Sequence, residues 1–165
     1  MVNLPNLGLA PSIQALGLGA EATAYSLVFD GLLAFRLNQV ERRLPTVDVI
    51  EVDLFSMTEA IVANPQAFGL SDITTPLVTV SGPAVNPNAY LWWNGNHPTT
   101  AGHQLIAGAV QSALQGRGSS QFVENGLAFV ANRFTQWLNN GGLDRGLDLT
   151  TVFSPANLNA LGLAS

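Results

Sequence analysis

The chain has 165 residues; 47% are hydrophobic, only 10% are charged, and the net charge is −5. That length is enough for one domain with a substantial core, and the composition excludes an intrinsically disordered chain. Six arginines, no lysine and eleven acidic residues leave no basic stretch to neutralise a phosphate backbone, so we expect no nucleic-acid partner. The absence of cysteine excludes disulfides and thiolate chemistry.

No apolar stretch is long enough to cross a membrane, so we expect no membrane span. The first five residues lack the basic and apolar regions of a signal peptide, and the compartment stays unknown. They are typical of a strand end that runs into a loop. A chain that opens in this way suggests that a preceding segment is missing.

The first half of the chain predicts two helices and one strand. Residues 6–20 are rich in Gly, Leu, Pro and Ser and predict a long loop. Residues 21–44 predict a helix with an apolar face and late arginines, which Pro45 ends. The β-branched residues 47–52 predict a strand, and residues 55–63 predict a second helix.

The second half of the sequence also predicts strands and helices in alternation. Residues 69–88 predict a loop with a short strand at 77–80, and residues 89–93 predict a short aromatic strand. A helix is predicted from Thr99 or Thr100 to about residue 114. A further helix is predicted over 122–140, whose apolar stripe suits a core or a partner-docking face.

Alternating strands and helices are typical of an α/β fold with a parallel sheet. We expect residues 2–4 to lie beside residues 47–52, with one flank of the sheet unpaired. An unpaired edge is a template for pairing with another chain, so we also expect self-association or a partner that adds strands.

Residues 90–103 carry the most specific pattern, Tyr-Leu-Trp-Trp-Asn-Gly-Asn-His-Pro-Thr-Thr-Ala-Gly-His. This segment closely resembles the last conserved block of the GDSL-type SGNH esterases and lipases. That block has an aromatic strand end, Asp-x-x-His, Pro-Thr, a small pair and a second His. Residues 2–8 resemble the family's "NLPDLG" segment, and residues 47–70 resemble its "D-x-F…NP…(F/Y)G(F/L)" segment. The resemblance covers roughly residues 2–114.

The resemblance implies a partial three-layer α/β/α fold with a flavodoxin-like parallel sheet that lacks its N-terminal strands. Residues 1–115 would be the C-terminal half of the hydrolase domain, and residues 116–165 a helical extension packed on it. The implied activity is hydrolysis of an acyl ester or lipid by a Ser-His-Asp mechanism, with no cofactor and no metal. Members of the family are often secreted.

Two residues are the candidate catalytic pair. By the resemblance, His97 is the general base that activates a serine, and Asn94 stands where the family has its Asp. A carboxylate at that place holds the imidazole in the correct tautomer. An amide can instead donate to the wrong ring nitrogen, so the sequence predicts a weakened base.

The serine half of the triad is missing from the sequence. It contains neither the family's Gly-Asp-Ser nor its Gly-x-Asn-Asp. We therefore expect no appreciable esterase activity from this chain alone, and hydrolysis only with a Ser-bearing chain that completes it. The alternative is a non-catalytic remnant or binding module that docks a partner through an open sheet edge and an amphipathic helix.

Other polar and aromatic residues have both a functional and a structural interpretation. His103 fits a structural role in its helix, and Asp53 a helix cap rather than a surrogate carboxylate. Trp92 and Trp93 either line an acyl pocket or pack in the core, and strand geometry points them to opposite faces. The remaining serines of interest are predicted turn or cap residues: Ser56, Ser71 and Ser81.

Overall fold

The computed structural model describes residues 1–82 and 85–116. That part contains four α-helices, which are α1 (Pro11–Ala15), α2 (Gly19–Arg43), α3 (Leu54–Ala63) and α4 (Thr100–Leu114). A 3₁₀ turn at Leu7–Leu9 precedes α1, and three more lie between α3 and α4, at Pro65–Phe68, Leu77–Thr79 and Pro87–Ala89. Helices α2, α3 and α4 confirm three predicted helices, whereas the loop predicted over 6–20 is wrong, because it contains a 3₁₀ turn, α1 and the start of α2.

Helix α3 is the centre of the core because apolar residues occur on several of its faces. Phe55 packs against Leu27 of α2. Leu54 clusters with Ala113 near the end of α4. Ile61 joins a third cluster, which also contains Ala10, Leu70, Leu91 and Trp92. The short central helix thereby fixes the positions of α2, α4 and the segment around residue 91.

The start of α3 is held by a buried polar pair. Asp53 is the N-cap, and its Oδ1 accepts hydrogen bonds from the Ser56 amide at 3.0 Å and from Asn3 Nδ2 at 3.0 Å. The Asn3 side-chain oxygen accepts from the Leu54 amide at 2.6 Å. Two free amides of the first helical turn are thus satisfied, and the interpretation of Asp53 as a helix cap is confirmed.

A second buried carboxyl links the N-terminal segment to α2. Asp30 is only 1% exposed, and its Oδ1 accepts a hydrogen bond from the Leu4 amide at 2.9 Å. Its Oδ2 is buried without a hydrogen-bond partner. Burial raises the pKa of Asp30 to about 7, and the charges of Asp53 and Glu51 act in the same direction, against the Leu4 hydrogen bond.

The predicted α/β fold class is wrong for the part of the chain that the structure describes. That part holds helices, turns and isolated bridges, with no β-strand, and so no flavodoxin-like parallel sheet and no three-layer arrangement around one. Its isolated β-bridges are Val2–Val52 (parallel), Asp72–Tyr90 (parallel) and Trp92–Pro98 (antiparallel).

The segment 47–52 fails to become a strand because its neighbour is too short. The predicted pairing with residues 2–4 forms only at the end of the segment: the Asn3 amide donates to the Val52 carbonyl at 3.2 Å, and the Val52 amide donates to the Met1 carbonyl at 2.8 Å. Pro5 follows at once and has no N–H to extend a ladder. The β-branched run therefore forms a single bridge and no strand, because a stable sheet needs more strands.

The aromatic segment 89–93 has a different obstacle, since its partners change from residue to residue. The Leu91 amide donates to the Asp72 carbonyl at 2.9 Å, while the Trp92 carbonyl accepts from the Leu77 amide at 2.9 Å. On the other side, the Leu91 carbonyl accepts from the Thr99 amide at 2.8 Å. The hydrogen bonds are satisfied by three irregular segments rather than by one strand, so no regular ladder forms.

The helix predicted over 122–140 and nearly all of the extension predicted over 116–165 lie outside the described residues. Within residues 1–82 and 85–116, no helix is long and apolar enough to cross a membrane.

Candidate functional site

The candidate base lies in a tight loop that precedes α4. The Trp93 amide donates to the His97 carbonyl at 2.8 Å, and Trp92 forms a bridge with Pro98. These contacts close the loop over residues 94–97 and leave the His97 side chain exposed at its end. The loop is therefore short, tied at its base and open to solvent at the imidazole.

The side chain of Asn94 organises this loop from within. Its Oδ1 accepts a hydrogen bond from the Asn96 amide at 2.9 Å and another from the His97 amide at 2.9 Å. The same oxygen lies 3.0 Å from Nδ1 of the His97 ring. The structure thus brings together the two residues that the sequence pairs as catalytic candidates.

The two backbone donors determine which way the amide of Asn94 faces. A backbone N–H can only donate, so the atom that meets both donors must be the oxygen and not the NH₂ group. That oxygen can only accept from the ring, which requires Nδ1 of His97 to carry the proton. In the neutral ring Nε2 is then the unprotonated nitrogen, and no residue in the described part of the chain bonds to it.

This arrangement differs from the sequence-based expectation for Asn94. An amide that donates to the imidazole would have favoured the wrong tautomer, but here the oxygen faces Nδ1. The sequence could not reveal this, because the orientation depends on the backbone amides of Asn96 and His97.

The start of α4 holds the loop from its other end. Thr99 is the N-cap, and its hydroxyl donates to the Tyr90 carbonyl at 2.6 Å and accepts from the Gly102 amide at 3.1 Å. Gly102 packs so closely that a Cβ there would lie 2.7 Å from Pro98 Cβ and 3.0 Å from the Leu91 carbonyl oxygen. The His97 loop is thereby fixed relative to the helix.

We expect Gly102→Ala to destabilise the fold by about 1–3 kcal/mol, because the new methyl group overlaps the rigid ring of Pro98 and crowds the Leu91 carbonyl oxygen. Gly108→Ala is the matched control on the same helix. No atom lies within 4 Å of a Cβ at Gly108, so this change should stabilise the helix by roughly 0.5–1 kcal/mol. Urea denaturation of the two variants measures both values, and equal effects would contradict the close approach.

The other candidate residues are placed as follows. Nδ1 of His103 lies 2.9 Å from the carbonyl of Thr99, the N-cap of its own helix. Trp92 is 8% exposed and packs in the core, where its Nε1 donates to the Ile73 carbonyl at 2.9 Å; Trp93 is 51% exposed. The Ser56 hydroxyl donates to Asp53.

A cavity that the sequence did not predict opens beside the His97 loop. It has a volume of about 570 Å³ and lies between α1 and the segment around Ile73. Gly95 and Ser12 both line it, and the Ser12 amide donates to the Gly95 carbonyl at 3.0 Å. Neither Trp92 nor Trp93 is among its lining residues. The sequence predicts a loop over residues 6–20 and so gave no sign of α1, which forms one wall of the cavity.

Within residues 1–82 and 85–116 no serine hydroxyl bonds to His97. The hydroxyl of Ser12 donates instead to the side-chain oxygen of Asn96. The same part of the chain holds no cluster of three or more His, Asp or Glu residues that could bind a metal ion.

No protein-family profile matches the chain. Curated proteins match distantly. It is 26% identical over 114 residues to a GDSL esterase/lipase of Arabidopsis thaliana, covering 65% of this chain and 32% of that protein. It is 25% identical over 122 residues to the anther-specific proline-rich protein APG of the same plant, covering 64% and 23%.

A third similarity, 26% identity over 125 residues, is to an uncharacterized protein in the trpE-trpG intergenic region of Pseudomonas putida, covering 67% of this chain and 20% of that protein. The matches thus span a fifth to a third of each relative. Over part of its length, the chain is distantly similar to a GDSL esterase/lipase.

Proposed function

We propose that this chain carries the histidine half of a serine esterase site and hydrolyses an acyl ester when a serine from another polypeptide reaches His97. The observation that carries the proposal is the contact of 3.0 Å between Asn94 Oδ1 and His97 Nδ1, which leaves Nε2 as the free base. The distant similarity to a GDSL esterase/lipase supports the reaction class.

The chemistry follows from the free lone pair on Nε2. It takes the proton from the incoming serine hydroxyl while the serine oxygen attacks the ester carbonyl carbon. When the tetrahedral intermediate collapses, the protonated Nε2 returns that proton to the leaving alkoxide. Water then attacks the acyl-serine in the same way, and the acid is released.

Asn94 orients the ring in this scheme but differs from an Asp in one respect. A carboxylate would also stabilise the imidazolium that forms during proton transfer, and a neutral amide carries no charge to do so. We therefore assign Asn94 a positioning role and His97 the catalytic one.

The proposal is tested by assaying the hydrolysis of 4-nitrophenyl butanoate. The chain alone should show no turnover above background. Mixed with the polypeptide encoded immediately upstream, if that carries a Gly-Asp-Ser motif, it should give turnover near or above ~1 s⁻¹, within the ordinary range of enzymes.

His97→Ala should abolish that turnover, and a serine-directed phosphonate should block it. His103→Ala is the matched control, because the His103 ring bonds only to the carbonyl of Thr99, the N-cap of α4, and it should leave the rate unchanged. Turnover that survives His97→Ala, or an inactive mixture of two folded polypeptides, would refute the proposal.

A second candidate function is a binding module without turnover, and the exposed face of α2 favours it. Tyr25 and Phe29 lie four residues apart on α2 and are 56% and 50% exposed, and Leu18, the residue that precedes the helix, is 46% exposed. Large apolar side chains that are exposed next to each other on a helix are typical of interaction surfaces. A partner protein whose binding is weakened by Phe29→Ser, with no ester turnover in the complex, would favour this function.

A further inference from the structure

We infer that Asn94 is a site of spontaneous deamidation, and that the folded loop accelerates the conversion of its side-chain amide into a carboxylate. Asn94 is followed by Gly95, and the nitrogen of a glycine is little shielded because glycine has no Cβ. Both residues are partly exposed, so water reaches them. The reaction needs neither an ester nor a second polypeptide, so this inference goes beyond the proposed function and does not depend on it.

The turn that the Asn94 side chain forms brings the reacting atoms together. The hydrogen bond of 2.9 Å from the Asn96 amide to Asn94 Oδ1 closes a small ring. That ring contains Cγ, Cβ, Cα and the carbonyl carbon of Asn94 together with the nitrogen of Gly95, which are the atoms of the cyclic imide formed in deamidation. The loop thus holds Cγ near the nitrogen that attacks it, and this lowers the entropy cost of ring closure.

Three N–H groups activate Cγ of Asn94 for this attack. Oδ1 accepts from the backbone amides of Asn96 and His97, each at 2.9 Å, and lies 3.0 Å from Nδ1 of the His97 ring. Negative charge develops on this oxygen when a nitrogen adds to Cγ, and donors that already point at it stabilise that charge. The loop that orients the imidazole is therefore also an oxyanion site for the reaction of Asn94.

The attacking nitrogen is available in the folded loop. Within residues 1–82 and 85–116 no acceptor binds the Gly95 N–H, whereas the Gly95 carbonyl accepts from the Ser12 amide at 3.0 Å. That contact holds Gly95 against α1. A Cβ at Gly95 would lie 3.1 Å from Ser12 Cβ, so a larger residue would crowd the helix.

The reaction uses water alone. Hydroxide takes the proton of the Gly95 N–H, the nitrogen forms a bond to Asn94 Cγ, and the bond from Cγ to the NH₂ group breaks. The leaving group takes a proton from water and departs as ammonia. Water then opens the imide: addition at Cγ gives aspartate, and addition at the main-chain carbonyl carbon gives isoaspartate.

The two products affect His97 differently. Aspartate places a carboxylate where the amide oxygen now lies 3.0 Å from Nδ1, and its negative charge stabilises the protonated imidazole. Isoaspartate adds a methylene group to the main chain inside the loop, which displaces the contact between the Trp93 amide and the His97 carbonyl. The surroundings of the imidazole therefore change as the protein ages.

The test compares the rate of conversion in the folded and the unfolded chain. The chain is kept at mildly alkaline pH with and without guanidinium chloride, and tandem mass spectrometry of its peptides measures the replacement of NH₂ by OH at Asn94. Conversion should be about tenfold faster in the folded chain, which corresponds to the net gain of one good hydrogen bond. The Asn-Gly pairs at 125–126 and 140–141 are references in the denaturant, where all three pairs should react at the same rate.

His97→Ala removes the ring donor and should slow the conversion of Asn94 in the folded chain about fivefold. His103→Ala is the matched control, because the His103 ring bonds to the Thr99 carbonyl, and its rate should equal that of the parent chain. Three results would overturn the inference: no conversion of Asn94 in the folded chain, conversion no faster than in the denaturant, or equal rates in the two histidine variants.

Discussion

The free energy of unfolding should fall by up to about 4 kcal/mol as the pH rises from 4 to 7.5, because one pKa unit corresponds to ~1.36 kcal/mol. The cause is Asp30, whose pKa burial raises from 3.8 to about 7. Between these values the folded chain binds a proton that the unfolded chain has released. Stability contributed by this group is complete below pH 3.8 and is lost as the pH rises through 7.

Glu51 contributes in the same direction. Burial raises its pKa, and the nearby charge of Asp53 does so too. Asp72 has the opposite effect. Burial acts to raise its pKa, but hydrogen bonds from Thr75 and Thr74 outweigh it and lower the pKa. The stability that Asp72 contributes is therefore lost only at a pH below the ordinary pKa of an Asp. Among residues 1–82 and 85–116, the raised pKa values of Asp30 and Glu51 therefore make the stability fall as the pH rises through this window.

Asp30→Asn should flatten most of this dependence, because an amide at the same place has no proton to release. Urea denaturation at several pH values measures the effect. Asp48→Asn is the control, since Asp48 is exposed, and it should keep the slope of the parent chain. A parent stability that is constant or rises over the window would contradict the expected titration of Asp30.

Helices α2, α3 and α4 were predictable from the sequence and the absence of strands was not, for a physical reason. Helical periodicity and caps such as Thr99 and Asp53 act within a few residues, so the sequence itself carries the signal. A strand depends on a partner elsewhere. Residues 47–52 have the composition of a strand, but the partner at residues 2–4 ends at Pro5, and one bridge is all that forms.

The candidate site, like the fold, was predictable from the sequence only in part. The spacing of Asn94 and His97 was visible in the sequence, and the two side chains do meet at 3.0 Å. The orientation of the amide was not visible, because it depends on the backbone amides of the folded loop. The cavity was missed because α1 is a five-residue helix without periodicity to read, yet it forms one wall.

The second large effect concerns the tautomer of His97. In the parent chain, ¹⁵N NMR of the neutral imidazole should show the proton on Nδ1, where the Asn94 oxygen accepts it. Asn94→Ala removes that acceptor and releases the ring to the other tautomer. Asn96→Ala is the matched control in the same loop, because the Asn96 side chain bonds to Ser12 and not to His97.

In the mixture that hydrolyses ester, Asn94→Ala should lower kcat by about 10²–10⁴, the range for losing a correctly held general base.

Asn94→Asp should raise kcat, since a carboxylate also stabilises the imidazolium. The size of that gain is diagnostic. In a serine protease triad the change from Asp to Asn costs about 10⁴-fold, mainly through the wrong tautomer. Here the Asn96 and His97 amides already turn the oxygen toward Nδ1. The gain should therefore stay far below that figure, and a full 10⁴-fold gain would mean that Asn94 presents its NH₂ group to the ring after all.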